Sequence, residues 1–179
     1  MQSVEAWREA IVGQIPALRA FAWSLCRNGA DADDLVQDAL VKAWANRHRF
    51  QVGTNLRAWL FTILRNTWYT QVVRRRRETP DPDGAYAETQ IVEAEQPWSV
   101  AMTAMRAALQ ELPADQREAI ILVGAAGLSY EEAAEVCGCA LGTLKSRVNR
   151  ARTRLAILLD AESAAEMAGR PAPAARGLA

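Results

Sequence analysis

Apolar residues in this chain recur every three or four positions and nowhere in a sustained alternation, so the pattern predicts helices and gives no case for a strand. The stretch "ALRAFAWSLC" sets Leu18, Phe21, Ala22 and Leu25 on one side of a helix. "DADDLVQDALVKAWANR" runs Val36, Leu40, Ala43 and Trp44 down another, its leading aspartates suited to an N-cap and to the positive end of the helix dipole. After the loop "HRFQVGT", a third helix over residues 55–76 carries the stripe Leu56, Trp59, Leu60, Ile63, Leu64 and Thr67. The periodicity then stops across "ETPDPDGAYAETQIVEAEQP", which holds three prolines and reads as a linker. It resumes near Trp98 in four segments. "SVAMTAMRAALQEL" ends at Pro113, "ADQREAIILVGAAG" at Gly127 and "SYEEAAEVCG" at Gly138. The last, "LGTLKSRVNRARTRLAILL", has Leu141, Leu144, Val148, Ala151, Leu155 and Leu158 as its inner stripe. The expected fold is all-α: two small helical domains, 1–77 and 100–160, joined by a flexible acidic linker, 78–99. An Ala/Pro/Gly-rich tail, 161–179, is expected to be disordered.

Charge sharpens this division. The 179 residues sum to zero net charge, but the sum hides a segregation. Residues 1–77 hold twelve Lys/Arg against six Asp/Glu, whereas residues 78–99 hold six acids and no base. A basic block followed by an acidic one suggests a separate electrostatic task for each. No apolar run approaches the ~18 residues of a membrane span. Glu5, Arg8 and Glu9 interrupt the N-terminal stretch where a signal peptide would be apolar, so a cytoplasmic protein without membrane insertion is expected. Cys26, Cys137 and Cys139 are odd in number, and the Cys-Gly-Cys spacing is too tight for the usual zinc pair. With His48 the sole histidine, neither a metal site nor a cofactor is expected, and the thiols read as buried and reduced.

The third helix raises a question. Opposite its apolar stripe lie Ala58, Phe61, Thr62, Arg65, Trp68, Tyr69, Val72 and Arg76, and the helix closes on Arg74, Arg75, Arg76 and Arg77. Aromatic rings stack on unpaired bases at about 1–3 kcal/mol each, and arginines add phosphate pairing, a combination suited to separated DNA strands. The bland alternative stays open: the aromatics pack against another helix, and the arginines simply favour the helix C-terminus. Four successive arginines point all round the axis, so an exposed electrostatic role is the minimum reading.

"LSYEEAAEVCGCALGTLKSRVNRARTRL" has the form of a helix-turn-helix. Ser129 and Glu132 make a capping box, Ala134 permits close helix approach, Gly138 takes the turn and Leu144 plugs the core. Gly142, Lys145, Ser146, Asn149, Arg150 and Thr153 face outward, with Thr143, Arg147 and Arg154 on the flank. Small polar residues followed by cations suit a helix entering a major groove.

Taken in order, "DADDLVQDALVKAW", "NLRAWLFTILRN" and "LSYEEAAEVCGCALGTLKSRVNRAR" resemble the extracytoplasmic-function sigma factors of bacterial RNA polymerase, two-domain members of the sigma-70 family. The resemblance covers roughly residues 10–158, and "GTNLRAWLFTILRN" is most like the general-stress-response subgroup of alphaproteobacteria. It implies a non-enzymatic factor with no catalytic residue, one that binds core RNA polymerase, recognises −10 and −35 promoter elements and promotes strand opening. On this resemblance Asp33, Asp34, Gln37, Asp38 and Lys42 dock on the polymerase. The loop from His48 to Asn55, with Arg49 and Phe50, captures a flipped base. Arg57, Phe61, Arg65, Asn66, Trp68 and Tyr69, with the arginine run, contact the −10 element. The last helix reads −35 DNA through Gly142, Thr143, Lys145, Ser146, Arg147, Asn149 and Arg150, and an anti-sigma factor is a further implied partner. Ala140 departs from the serine or proline common there, which leaves that helix less firmly capped.

The acidic linker is either a phosphate imitator in a polymerase channel or a plain solvated spacer. Its 22 residues span about 73–79 Å when extended. Elements some 17 base pairs apart are separated by roughly 58 Å, so two independently folded units able to splay are expected. Two rival functions leave features of the chain unexplained. A dimeric helix-turn-helix regulator leaves the aromatic helix unexplained and lacks a self-complementary apolar face. A nuclease fails for want of a histidine partner, a phosphate cradle or a metal-binding carboxylate cluster.

Overall fold

A computed structural model describes residues 4–78 and 100–167, and every regular element among them is helical. Residues 79–99 of the linker and 168–179 of the tail lie outside the described residues, whereas 161–167, expected to be disordered, continue the last helix. The first unit opens on a helix that the sequence pattern did not single out, α1 (Val4–Val12), which drives Trp7 and Ile11 into the core. α2 (Ile15–Cys26) has Pro16 in its first turn, where a missing N–H costs nothing. It ends as Arg27 turns left-handed (φ 61°) and returns its N–H to Trp23 O. α3 (Gly29–Ala45) is capped by Asn28, whose side chain accepts from the Asp31 N–H, so the cap precedes the aspartates that the pattern offered for it. A 3₁₀ turn, Arg47–Arg49, leads through an irregular loop into α4 (Leu56–Glu78), the long helix of this unit. Thr67 is buried without penalty because its hydroxyl donates to Ile63 O and accepts from Lys42 Nζ.

In the second unit α5 (Val100–Gln110), α6 (Ala114–Gly124), α7 (Tyr130–Cys137) and α8 (Leu141–Met167) follow the expected order, with α8 continuing past its predicted end. The capping box forms as expected: Ser129 Oγ accepts from the Glu132 N–H, and Glu132 Oε2 accepts from the Ser129 N–H. Gly138 takes φ 64°, and the Cys139 N–H returns to Ala134 O, which ends α7 and sets the turn into α8. Leu144, Val148 and Ala151 point inward with essentially no exposure. α5 packs on α8 through a satellite cluster of Ala108, Leu112, Ala151 and Leu155.

The arrangement of the units was not anticipated. In place of two separate cores, a single hydrophobic cluster runs from Trp7, Leu18, Phe21, Leu60 and Leu64 into Leu122, Leu128, Val136 and Leu144. α2 and α4 of the first unit pack directly on α6 and α7 of the second. Cys137 lies in this core and Cys26 packs half-buried against it, and burial pushes both thiols up to about 12. At pH 8 the reactive thiolate is therefore scarce at both positions. Iodoacetamide should therefore leave Cys26 and Cys137 unmodified in the native chain and label both after denaturation, as peptide mass mapping would record; rapid native labelling of either would contradict this burial.

Candidate nucleic-acid interface

The expected −10 residues divide by environment. His48, Arg49, Asn66 and Tyr69 are exposed, as are Arg74, Arg75 and Arg77 of the closing run. Arg57, Arg65 and Trp68 are half-buried. Phe50 is half-buried too, in an aromatic cluster with Trp7 and Trp59 at centroid distances of 5.2 and 5.5 Å. Phe61 is fully buried, its ring 5.0 Å from Phe21 at an interplanar angle of 65°. In this conformation Phe61 is a core residue and offers no face to a base, because its ring packs against Phe21 of α2 within the first unit.

The second unit engages the polar side chains of α4 instead. Arg65 Nε donates to Glu118 Oε1 at 2.5 Å, and the Glu118 side chain is only 2% exposed. Arg57 donates through Nε to Gln14 Oε1 at 2.6 Å and through Nη1 to Ala126 O at 2.7 Å. Gly127 beside it adopts φ 68°, a conformation favouring glycine, which lets the α6–α7 loop lie against that guanidinium. Asn55 starts α4 by accepting from the Arg57 N–H and donates to Glu132 Oε1 at 2.7 Å. Further along the interface Arg106 lies 4.2 Å from the centroid of the Trp23 ring, and Arg27 Nη2 donates to Gln110 O.

The electrostatics follow from burial. Desolvation raises the Glu118 carboxyl above its ordinary range, against the opposing pull of the Arg65 hydrogen bond and charge. For Arg65, desolvation acts downward, but the hydrogen bond to Glu118 and its charge outweigh it, and the net shift is upward. Glu132 moves the other way, held below its usual range first by Asn55 and then by the Ser129 N–H. Arg117 is buried and lowered to about 10, by desolvation first and by the Arg27 charge second, so it stays protonated at neutral pH. It donates to Gln110 O and Leu112 O, carbonyls at the α5 C-terminus. Glu118, Arg117 and Gln14 are not marked by the sequence pattern; for the first two the only signal is the presence of charge in the largely apolar run "REAIILV", and for Gln14 there is none.

The expected −35 residues present a different picture. Gly142, Thr143, Lys145, Asn149 and Arg150 are exposed along one side of α8. Ser146 and Arg147 are half-buried, and Arg147 Nε lies 3.1 Å from Asp115 Oδ2. On α3, Asp34, Gln37, Asp38 and Lys42 are exposed and Asp33 is half-exposed. Three of these have neighbours: Asp33 pairs with Arg19 at 2.7 Å, Asp38 accepts from Gln71, and Lys42 donates to Thr67. Val41 extends this surface with 69% exposure, an apolar member that no periodicity argument picked out. No group of three or more candidate metal ligands and no helix apolar and long enough to cross a membrane occurs among the described residues.

Comparison with known proteins fits this construction. Residues 12–78 match the family described as Sigma-70 region 2, and residues 102–155 match Sigma-70, region 4. The chain is 53% identical over 164 residues to the ECF RNA polymerase sigma factor EcfG of Rhodopseudomonas palustris, covering 92% of this chain and 91% of that protein. It is similar in structure to the sigma factor RpoE of Bartonella quintana, solved in complex with the anti-sigma factor NepR. There the TM-score is 0.79 at 52% identity, over 88% of this chain and 98% of that one. CnrH, solved with the cytosolic domain of CnrY, matches at TM-score 0.65 and 28% identity, over 90% of this chain and 92% of that one. With both regions present in order and joined in an all-helical fold, the chain belongs to the sigma-70 family as an extracytoplasmic-function RNA polymerase sigma factor, a non-enzymatic factor of promoter recognition and transcription initiation.

Proposed function

We propose that the two units divide promoter recognition between duplex and opened DNA. Residues 1–77 bind core polymerase through Asp33, Asp34, Gln37, Asp38 and Lys42. They engage the −10 element through the loop from His48 to Asn55, through Arg57, Arg65, Asn66, Trp68 and Tyr69, and through Arg74–Arg77. Residues 100–160 read the −35 element through Gly142, Thr143, Lys145, Ser146, Arg147, Asn149 and Arg150. Residues 78–99 tether the two. The observation that carries this reading is the outward side of α8, where exposed small and basic residues follow a tightly capped turn and make no part of the core. The factor works in the cytoplasm in a stress response, under an anti-sigma factor of the kind bound to RpoE and CnrH; likeness to those proteins and to EcfG supports this.

The division has a direct test in permanganate footprinting of promoter thymines with core polymerase present. Stacking gains nothing until a base leaves the duplex, whereas groove contacts form on intact DNA. Alanine at Trp68 and Tyr69 should reduce opening, and a pre-melted −10 bubble should restore much of it. Alanine at Lys145 or Arg150 should weaken recruitment by about 1–3 kcal/mol with little rescue by the bubble. The opposite pattern of rescue would reverse the assignment.

A further inference from the structure

We propose that Val52 is a specificity-determining residue of the −10 contact: it recognises the methyl group of a captured base, and so favours thymine over cytosine at the position the loop holds. This deepens the assignment of the loop from His48 to Asn55 to base capture, and rests on it. Val52 is 75% exposed, more than any other large apolar side chain among the described residues. Its loop is otherwise polar where it meets solvent, with Arg49, Gln51, Thr54 and Asn55 exposed. Phe50, the loop's other large apolar residue, is turned into the cluster with Trp7 and Trp59. A solitary exposed valine needs no explanation by itself. This one is held in place. The Thr54 N–H and hydroxyl both donate to Gln51 O, at 3.1 and 2.7 Å, and close a four-residue turn. Gly53, the third residue of that turn, takes φ 98°, as a type II turn requires, which leaves Val52 at the second corner. The turn stands between two fixed ends: Phe50 is packed in the aromatic cluster, and Asn55 accepts from the Arg57 and Ala58 N–H groups where α4 begins.

The turn demands glycine at its third place and makes no demand for an apolar residue at its second. A β-branched side chain on that corner has few rotamers to lose on contact. Chemistry then limits what it can read. Valine neither donates nor accepts, so it is blind to the hydrogen-bonding edges by which bases are usually told apart. The one apolar substituent on a DNA base edge is the thymine C5 methyl group. A valine that meets a captured base therefore gains from thymine what it cannot gain from cytosine, about fourfold in affinity, the worth of one buried carbon. Arg49 on the same loop can pair with a phosphate whatever the base, so it positions the strand while Val52 discriminates.

The test uses polymerase holoenzyme and a promoter with a pre-melted −10 bubble. Each thymine of the opened strands is replaced in turn by uracil, which lacks only the methyl group. Because the strands are already apart, a role in melting is bypassed and only contact with the base is read. Competition binding of the wild type should fall about fourfold at one thymine and hold at the others, and 5-methylcytosine there should bind better than cytosine by about the same factor. Val52→Ala should discriminate neither pair. Val12→Ala, which trims an exposed valine of α1, should discriminate as the wild type does. Both positions lie outside the core, and circular dichroism checks that each variant stays helical. A wild type indifferent to every uracil, a Val52→Ala chain that still prefers the methylated base, or an equal loss in Val12→Ala overturns the proposal. Photo-crosslinking from 5-iodouracil at the same thymines separates it from the underlying assignment. Crosslinks to residues 48–55 without a methyl preference keep the loop at the base and remove Val52 as its reader. Crosslinks confined to other residues remove the loop from the −10 set, and Val52 with it.

Discussion

Phe61→Ala is expected to destabilise the chain by about 3–5 kcal/mol, the range for a large aromatic truncated in a core that cannot collapse around the gap. The ring has no exposure and meets Phe21 edge-on at 5.0 Å, and such pairs add about 0.5–1.5 kcal/mol beyond their buried area. Phe61→Leu retains much of the volume and should cost markedly less. Urea denaturation of the full chain, followed by helical circular dichroism, measures both. The promoter consequence distinguishes this from a stacking role. A stacking residue lost from an intact fold is rescued by a pre-melted bubble, whereas a core residue lost from α4 is not. A Phe61→Ala chain that unfolds at the wild-type urea midpoint would place the ring back on the DNA side.

That reversal of role shows where the sequence runs out. A helical wheel sorts residues by direction and cannot distinguish a face turned to DNA from one turned to a second domain. α4 packs on α2, α3 and α7, so both its apolar stripe and part of its aromatic side are buried, Phe61 against Phe21 of α2. The wheel found Leu60, Leu64 and Thr67 correctly, and left Phe61 open between stacking and packing. The turn into α8 was legible because its determinants are local: Ser129 and Glu132 are three residues apart, and Gly138 follows directly on α7. The pair between Arg65 and Glu118 spans 53 positions, and that between Asn55 and Glu132 spans 77, so no local rule connects them. α1 is weakly legible: Trp7 and Ile11 stand four apart as a helix requires, but two buried residues in so short a segment make a faint stripe.

The arginines that close α4 should show their role in salt. Arg77 is exposed, and Arg75 lies 4.0 Å from Asp31 with its side chain 57% exposed, a contact too long and too wet to hold it. Arg74 and Arg77 border a shallow cleft of about 490 Å³ with Tyr69, Thr70 and Val73. Cations here favour the helix C-terminus by about 0.3–1 kcal/mol each, so replacing all four with alanine costs some helix stability. Alanine's own helix preference offsets part of that loss, and the fold should survive. Binding should weaken similarly on every promoter, because phosphates carry no sequence. The slope of log affinity against log salt should fall by up to about 0.9 for each lost contact on duplex, and nearer 0.7 on single strands. For four contacts the slope thus falls by up to about 3–4, so over a few-fold rise in salt the wild type should lose about one to two orders of magnitude more affinity than the variant. Filter binding of the polymerase holoenzyme to two unrelated promoters across a salt series measures this. If the quadruple variant altered the preference between the promoters while its salt slope matched the wild type, the run would be reading bases, and its assignment to the backbone would be wrong.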